Sequence, residues 1–318
     1  MKNLVLLAIL VGEVAVILVV GAEELSPALG SAVVEQAGRL VFLAFGMTLV
    51  LMTAGIDLSV ASMTVLIVCV LGSLLDGAFS FGALPIALVV GLSLGLFNGV
   101  LVAWLDIPPI IATLGTLFLY RGCCWVVVGD RTSIPFDSEE WALFGEWPFV
   151  CMAALVVYGL GGWLLARSRW HEEILMIGGN RVAARYAGIR VTRRLLEVYA
   201  LVGVLATLTS LVFIGRNGSV QASSIKGLEL HVIVATVLGG TRVQGGAGSV
   251  VGTLLGVLIV TVLNIGLQGL KLSSIELPFK EHYVRYLLLG GLLVLGVWLN
   301  TNERWTVSWR RRRRARGS

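Results

Sequence analysis

The chain has 318 residues, of which 57% are hydrophobic and 14% are charged, and its formal net charge is +5. Because a soluble globular protein usually carries about 25% charged residues, this composition excludes an ordinary soluble enzyme and indicates membrane integration. At about 20 residues per crossing, the apolar residues suffice for about nine or ten membrane spans with short connections, which leaves little chain for a separate soluble domain.

Ten apolar runs follow one another and predict an all-α, polytopic membrane protein with about ten transmembrane helices. We interpret the first run as a retained helix rather than a signal peptide, because Glu13 interrupts it and no clear cleavage site follows. The runs are 4–20, 40–54, 60–75, 84–105, 109–128, 149–166, 195–214, 230–239, 250–270 and 283–299.

Arginines are concentrated in two polar stretches, residues 167–194 and residues 300–318. If each of the ten runs crosses the membrane once, successive connections alternate between its two sides. Both arginine-rich stretches and both termini then lie on one side, and the acidic connections lie on the other. The positive-inside rule identifies the arginine-rich side as the cytoplasm. This topology explains the basic charge without nucleic acid, since no module of interleaved aromatic and basic residues accompanies the arginines.

Two runs are too short to cross about 30 Å of hydrocarbon as perpendicular helices, and both border glycine-containing breaks. The breaks are residues 54–59 and residues 239–249. One interpretation is a pair of interrupted helices that act as hinges or gates, as in transporters. The other is a pair of tight cytoplasmic turns between short helices, with Asp57 or Ser59 as an N-cap. The sequence leaves both interpretations open.

Residues that would support catalysis are scarce. A Walker-type nucleotide site needs a lysine after a glycine, and no lysine of this chain follows one. There is no CxxC pair and no Cys/His cluster, and we predict no catalytic residue, no metal site and no cofactor in this chain. Ionisable residues deep within apolar runs are few, Glu13 and Arg121 among them. An energy source is therefore expected from a partner.

Seven short motifs follow one another between residues 40 and 270. They are GMT at 46–48, AGIDLSV at 54–60, NG at 98–99, IPPIIATLGT at 107–116, IGGN at 177–180, VLGGT at 237–241 and GGAGS at 245–249. In this order they resemble the permease subunits of bacterial ABC importers for simple sugars, the ribose, arabinose and xylose group that includes rhamnose and autoinducer-2 permeases.

The resemblance implies a single transmembrane permease domain, residues 1–318, in the bacterial inner membrane. Its implied partners are a second permease chain in a homo- or heterodimer, a periplasmic sugar-binding protein, and a cytoplasmic ATPase that binds ATP and Mg. Residues 167–194 would be the cytoplasmic coupling loop. The basic cytoplasmic tail, residues 300–318, lies outside the resemblance; its arginines either contact anionic membrane lipid or serve only as a topology anchor. The residues expected to couple to the ATPase are Gly178, Gly179, Asn180, Arg181, Ala183, Ala184, Arg185 and Gly188.

A neutral sugar that crosses the membrane needs hydrogen-bonding groups rather than charges along its path. The same polar side chains have an alternative role as hydrogen-bonding groups between helices. The candidates for the translocation path or gate are Asp57, Ser59, Asn98, Thr113, Gly239, Gly240, Asn264 and Gln268. Rival functions are a stand-alone secondary carrier or channel, and a membrane-embedded enzyme or assembly scaffold.

Overall fold

A computed structural model describes residues 3, 6–12, 27–136, 138–269, 287, 290–292 and 294. These residues are helical almost throughout, and two short strands pair with each other. The helices with defined limits are α1 Pro27–Met52, α2 Val60–Leu75, α3 Ala83–Ala103, α4 Pro109–Val128, α5 Glu139–Gly145, α6 Trp147–Ala154, α7 Gly162–Arg167, α8 Arg169–Gly179, α9 Arg181–Tyr186, α10 Val191–Asn217, α11 Leu228–Leu238 and α12 Val250–Gly269. The strands are β1 Ile134–Pro135 and β2 Ser219–Val220.

Eight of the ten predicted runs lie within the described ranges, and each of them forms a helix. In that part of the chain, five helices are long and apolar enough to cross a membrane: Val33–Met52 of α1, then α3, α4, Trp147–Arg167 and α10. The shorter apolar helices are α2, α11 and the Val250–Ile265 part of α12. The prediction of an all-α polytopic membrane protein is thus confirmed. Runs 4–20 and 283–299 lie largely, and the tail 300–318 wholly, outside the described residues.

Helix α1 is longer than the apolar pattern predicts, since it begins at Pro27 rather than at residue 40. The added turns carry Glu35 and Arg39, whose side chains form an i,i+4 ion pair of 2.7 Å that favours the helix despite its polarity. The prediction that a short helix leads into the first break is therefore wrong. Helix α11, which leads into the second break, has only 11 residues, as predicted.

Helices α6 and α7 form one rod because a π-helical segment, Leu155–Gly161, joins them. Within this segment Tyr158 donates from its hydroxyl to the carbonyl oxygen of Val41, which fastens the rod to α1. Only 6% of the most apolar window of Trp147–Arg167 is buried within the chain. This rod is therefore a peripheral element, and its apolar surface faces lipid or another chain.

Helices α3 and α10 cross where three glycines bring the two backbones into contact. A Cβ atom added to Gly203 would overlap the carbonyl oxygen of Gly91, and one added to Gly95 would overlap the carbonyl oxygen of Tyr199. Small residues permit this close approach between membrane helices. The crossing fixes α10 as the central helix of the bundle.

We expect Gly203→Ala to lower the melting temperature of the detergent-purified protein, because the new methyl group meets backbone that cannot rotate away. Overpacking of this kind costs about 1–3 kcal/mol. The matched control is Gly115→Ala in α4, where an added Cβ meets nothing within 4 Å. Tryptophan fluorescence during heating measures both variants, and equal melting temperatures would contradict the role given to the crossing.

Residues 168–190 lie at one end of the bundle, which we call the loop end. At the opposite, distal end, β1 pairs antiparallel with β2, with Ile134 opposite Val220. Helix α5 packs there against the end of α10, and the backbones of Gly145 and Gly215 are in contact. The indole of Trp141 also donates to the carbonyl oxygen of Gly77 (3.1 Å). We call this assembly the distal clip; two-residue strands carry too little alternation to be predicted from sequence.

Candidate functional site

The arginine-rich stretch folds into two short helices with well-defined ends. Ser168 caps α8 by accepting from the N–H of His171. Asn180 caps α9, since its Oδ1 accepts from the N–H groups of Val182 (2.9 Å) and Ala183 (3.0 Å). Gly188, with φ of +83°, terminates α9 in the left-handed conformation that glycine adopts readily. The IGGN motif at 177–180 thus has a structural basis, because Asn180 caps the start of α9. Gly188 ends the same helix.

The residues predicted to couple to a partner divide between two faces of this loop. Gly179, Asn180, Ala183, Arg185 and Gly188 are exposed, and Arg181 is half-buried. Gly178 and Ala184 are buried instead. Ala184 is only 3% exposed and packs with Ala103 and Ile177, so the expectation that it lies on a partner surface is corrected. It supports α9 from the inside.

Large apolar side chains occupy the exposed side of the loop. Val182 is 61% exposed and Tyr186 is 89% exposed, and they are i,i+4 neighbours on α9. We call Gly179, Val182, Ala183 and Tyr186 the outer face. Reasoning from the small residues missed Val182 and Tyr186, although their spacing within a polar stretch was a usable signal. Exposed apolar groups at such a position indicate a contact surface.

Ion pairs behind the outer face hold the loop to the bundle. Arg194 pairs with Glu173 of α8 and with Glu197 of its own helix, and Trp170 donates from its indole to Glu197 (2.7 Å). Burial lowers the pKa of the His171 imidazole, so this side chain is neutral at pH 7. The base of the loop is thus fixed by paired charges, whereas the ion pairs among the described residues include neither Arg181 nor Arg185.

Both helix breaks meet the loop through backbone contacts. The N–H of Gly246 donates to the carbonyl oxygen of Met52 (3.0 Å). A Cβ atom on Gly178 would overlap that same oxygen, and one on Gly245 would lie 2.7 Å from both the Gly178 carbonyl oxygen and the Ala54 Cβ. We call these five residues the glycine junction. It joins the end of α8 to the end of α1 and to the turn before α12, so the loop is in direct contact with both breaks.

The second break is a compact turn at the loop end. Gly240 has φ of +94°, and a Cβ on Gly239 would lie 2.5 Å from the carbonyl oxygen of Gly252. Ser249 accepts from the N–H of Gly252 (3.0 Å), which caps the start of α12. Of the two interpretations of the breaks, the geometry of this segment favours the turn.

The first break is a turn as well, but neither proposed N-cap forms. Ser59 makes no side-chain capping bond to α2. Instead Asp57 accepts at Oδ1 from the N–H (2.9 Å) and the hydroxyl (2.7 Å) of Ser59, the local bond of an Asx turn. Ala54 has φ of +61°, a conformation that favours glycine, which shows how sharply the chain bends here.

A buried polar cluster lies beneath the first break. Asn98 of α3 donates from Nδ2 to the Ser59 hydroxyl (2.7 Å) and to Asp57 (3.3 Å), and Tyr120 of α4 donates to Asn98 Oδ1 (3.2 Å). Thr113 of α4 donates to the carbonyl oxygen of residue 56 (2.9 Å). None of these five side chains is more than 2% exposed. Four of them hydrogen-bond to one another, and Thr113 bonds to the backbone of the break, so together they hold α2, α3 and α4. Their role in translocation stays a prediction.

The last two path candidates lie apart from this cluster. Asn264 of α12 is buried, and its Nδ2 donates to the carbonyl oxygen of Val260 (2.9 Å) within the same helix. Gln268 belongs to α12, but its side chain lies outside the described residues. In the part of the chain that the structure covers, no three His, Cys, Asp or Glu side chains are grouped to hold a metal ion.

Comparison with known proteins agrees with this architecture. Residues 31–297 match the family described as branched-chain amino acid transport system, permease component. The chain is 35% identical over 266 residues to the autoinducer 2 import system permease protein LsrC of Yersinia pseudotuberculosis serotype O:1b (strain IP 31758), which covers 82% of this chain and 74% of the relative. LsrC of Yersinia pestis (strain Pestoides F) shows the same identity and coverage. No solved structure matches the chain. Since the family match spans most of its length, the chain belongs to the family of branched-chain amino acid transport system permease components.

Proposed function

We propose that this chain is the membrane permease subunit of an ABC importer for a sugar-like solute, driven by a separate cytoplasmic ATPase. The observation that carries the proposal is the glycine junction, which places an exposed, partly apolar loop in backbone contact with two helix breaks. The import of a sugar-like solute is supported by the relatives, whose name describes autoinducer 2 import permeases.

In this proposal the outer face docks into a groove of the ATPase, where Val182 and Tyr186 supply the apolar contact and Arg185 meets carboxylates. ATP and Mg belong to the ATPase, and this chain carries out no chemistry. Because α9 is capped at both ends, it moves as a rigid unit. The glycine junction passes that movement to α1 and α12, while the polar cluster keeps α2, α3 and α4 together as one block.

The remaining partners follow from the same proposal. A periplasmic binding protein delivers the solute, and a second permease chain completes the membrane unit. The chain lies in the bacterial inner membrane with both termini in the cytoplasm, and its basic tail meets anionic lipid.

We expect Gly179→Trp to reduce solute-stimulated ATP hydrolysis roughly tenfold, the effect of losing about 1.4 kcal/mol of docking free energy. Gly179 is exposed and an added Cβ meets nothing within 4 Å, so the indole fits the isolated chain but blocks the partner. The measurement is ATPase activity of the assembled importer in proteoliposomes. Gly179→Ala is the control and should couple normally.

Two outcomes would contradict the proposal. Unchanged coupling in Gly179→Trp would remove the loop from the mechanism. Solute uptake by the purified chain alone, under an ion gradient and without any ATPase, would assign it to the secondary carriers instead. A melting temperature equal to that of the unsubstituted protein shows that the Gly179→Trp chain is folded.

A further inference from the structure

Helix α4 carries an arginine within the membrane. At about 1.5 Å per residue, Arg121 lies about 18 Å along the axis from Pro109 and about 10 Å from Val128, well inside a hydrocarbon layer of about 30 Å. A cation at this depth costs at least about 2.5–3.5 kcal/mol unless it has polar partners or water. Arg121 donates from Nη1 to the carbonyl oxygens of Ala222 (2.7 Å) and Ser224 (2.9 Å).

These carbonyl groups belong to an unwound segment, residues 221–227, between β2 and α11. Helix α11 ends at Leu238 beside the second break, at the loop end, and its 11 residues span only about 16 Å. Its start is therefore about half-way across the membrane. The depth of Arg121 is counted along α4 from Pro109, and the depth of the start of α11 is counted back from Leu238. The two counts are independent, and both give a position about half-way across the membrane.

Two polar side chains of this unwound segment are exposed, Gln221 and Lys226. Lys226 follows Ser224 by two residues, so it lies close to the depth of Arg121. Unwound backbone and an exposed ammonium group at this depth are tolerated only where they are buried in protein or face a water-filled cavity. This side of the chain therefore does not face lipid.

We propose that Arg121, Lys226 and the unwound segment 221–227, which runs from the distal clip to the start of α11, line a hydrated solute-binding site that reaches half membrane depth. The groups it offers are mainly N–H donors: the ammonium of Lys226, the guanidinium of Arg121, of whose five N–H groups two are used in the described bonds, and the amide of Gln221 beside the distal clip. Glu229, in the first turn of α11, adds one acidic group. Such a site takes a solute rich in acceptor oxygens, a polyol or its anionic derivative. That this solute is the imported cargo rests on the proposed function.

Cysteine accessibility in the full chain tests the site without any ATPase. The chain carries Ser224→Cys, whose backbone carbonyl accepts from Arg121, with Cys69, Cys123, Cys124 and Cys151 replaced by alanine. If the alanine background does not fold, Ser224→Cys is made in the unsubstituted chain, and labelling of the unsubstituted chain is subtracted. The matched control is Leu119→Cys in α4, which is 50% exposed and lies about 200° around the helix from Arg121 at a similar depth. The probes are two membrane-impermeant methanethiosulfonates, one anionic and one cationic.

We expect both reagents to modify Ser224→Cys at least roughly tenfold faster than Leu119→Cys, because thiolate forms only where water is present. The anionic reagent should react faster than the cationic one, and Lys226→Gln should reduce that preference by attenuating the positive potential. Labelling of Ser224→Cys as slow as that of Leu119→Cys would overturn the hydrated site. Labelling without preference for the anionic reagent would overturn its donor-rich character. Failure of ATP-driven uptake in the unsubstituted importer would instead count against the proposed function alone.

Discussion

Replacing Gly178 by alanine is expected to abolish coupling between the loop and the membrane helices. The added Cβ would overlap the carbonyl oxygen of Met52 and lie 2.7 Å from the backbone nitrogen of Gly246. Both atoms belong to the backbone, so no rotamer change relieves the clash, and overpacking of this kind costs about 1–3 kcal/mol. Helix α8 must then move out of the glycine junction. Solute-stimulated ATP hydrolysis in the assembled importer should fall to the unstimulated rate.

The adjacent residue supplies the control for this experiment. Gly179→Ala adds the same methyl group one position later, where it meets nothing within 4 Å, and should preserve both stability and coupling. Gly178→Ala should also lower the melting temperature of the isolated chain, whereas Gly179→Trp should not. If Gly178→Ala couples like the unsubstituted chain, the junction does not transmit the movement of the loop.

The second large effect is expected for Asn98→Leu. Asn98 donates to Asp57 and Ser59, so its loss leaves the buried Oδ2 of Asp57 and the buried Ser59 hydroxyl each short of a donor, whereas Tyr120 keeps the carbonyl oxygen of Leu94 (2.8 Å). Leaving a buried polar group without its hydrogen-bond partner costs about 1–3 kcal/mol, and two such groups are affected here. We expect a correspondingly large fall in the free energy of unfolding, measured by denaturant titration of the detergent-purified chain.

Asn264→Leu is the matched control for that variant, since Asn264 is equally buried but its described bond stays within its own helix. It should cost about 1 kcal/mol or less, the net value of one hydrogen bond. The double variant Asp57→Ala/Asn98→Ala should lose less than the sum of the two single variants, because the pair is coupled. Equal effects of the two leucine variants would mean that the cluster does not hold the helices together.

The apolar pattern was sufficient to place the eight described runs, because membrane helices are selected by length and hydropathy alone. The apolar pattern did not predict the first turns of α1. These turns are polar, and the ion pair of Glu35 with Arg39 stabilises them as helix. The loop motif was recognisable in the sequence, but its orientation was not. Two adjacent glycines are chemically identical, and only the contact with Met52 distinguishes buried Gly178 from exposed Gly179.

The sequence also did not determine which of the polar candidates lie together in the folded chain. The sequence named Asp57 and Asn98 as candidates for the translocation path, and the structure brings them together with Tyr120, which the sequence did not suggest. It also named Asn264, which lies elsewhere. Side chains separated by tens of residues meet through helix packing, and residue type alone cannot report that geometry. Lys226 was missed because a polar connection does not reveal its depth.

The distal clip constrains where a passage to the outside forms. Strand pairing joins the chain after α4 to the chain after α10, and the contact of Gly145 with Gly215 fastens α5 to the same place. These elements cannot part at that end without exposing unpaired backbone to the membrane interface. In the proposed dimer, we therefore expect the passage to the outside to open at the interface between the two permease chains rather than within either chain. A single permease chain would then line only one side of this passage.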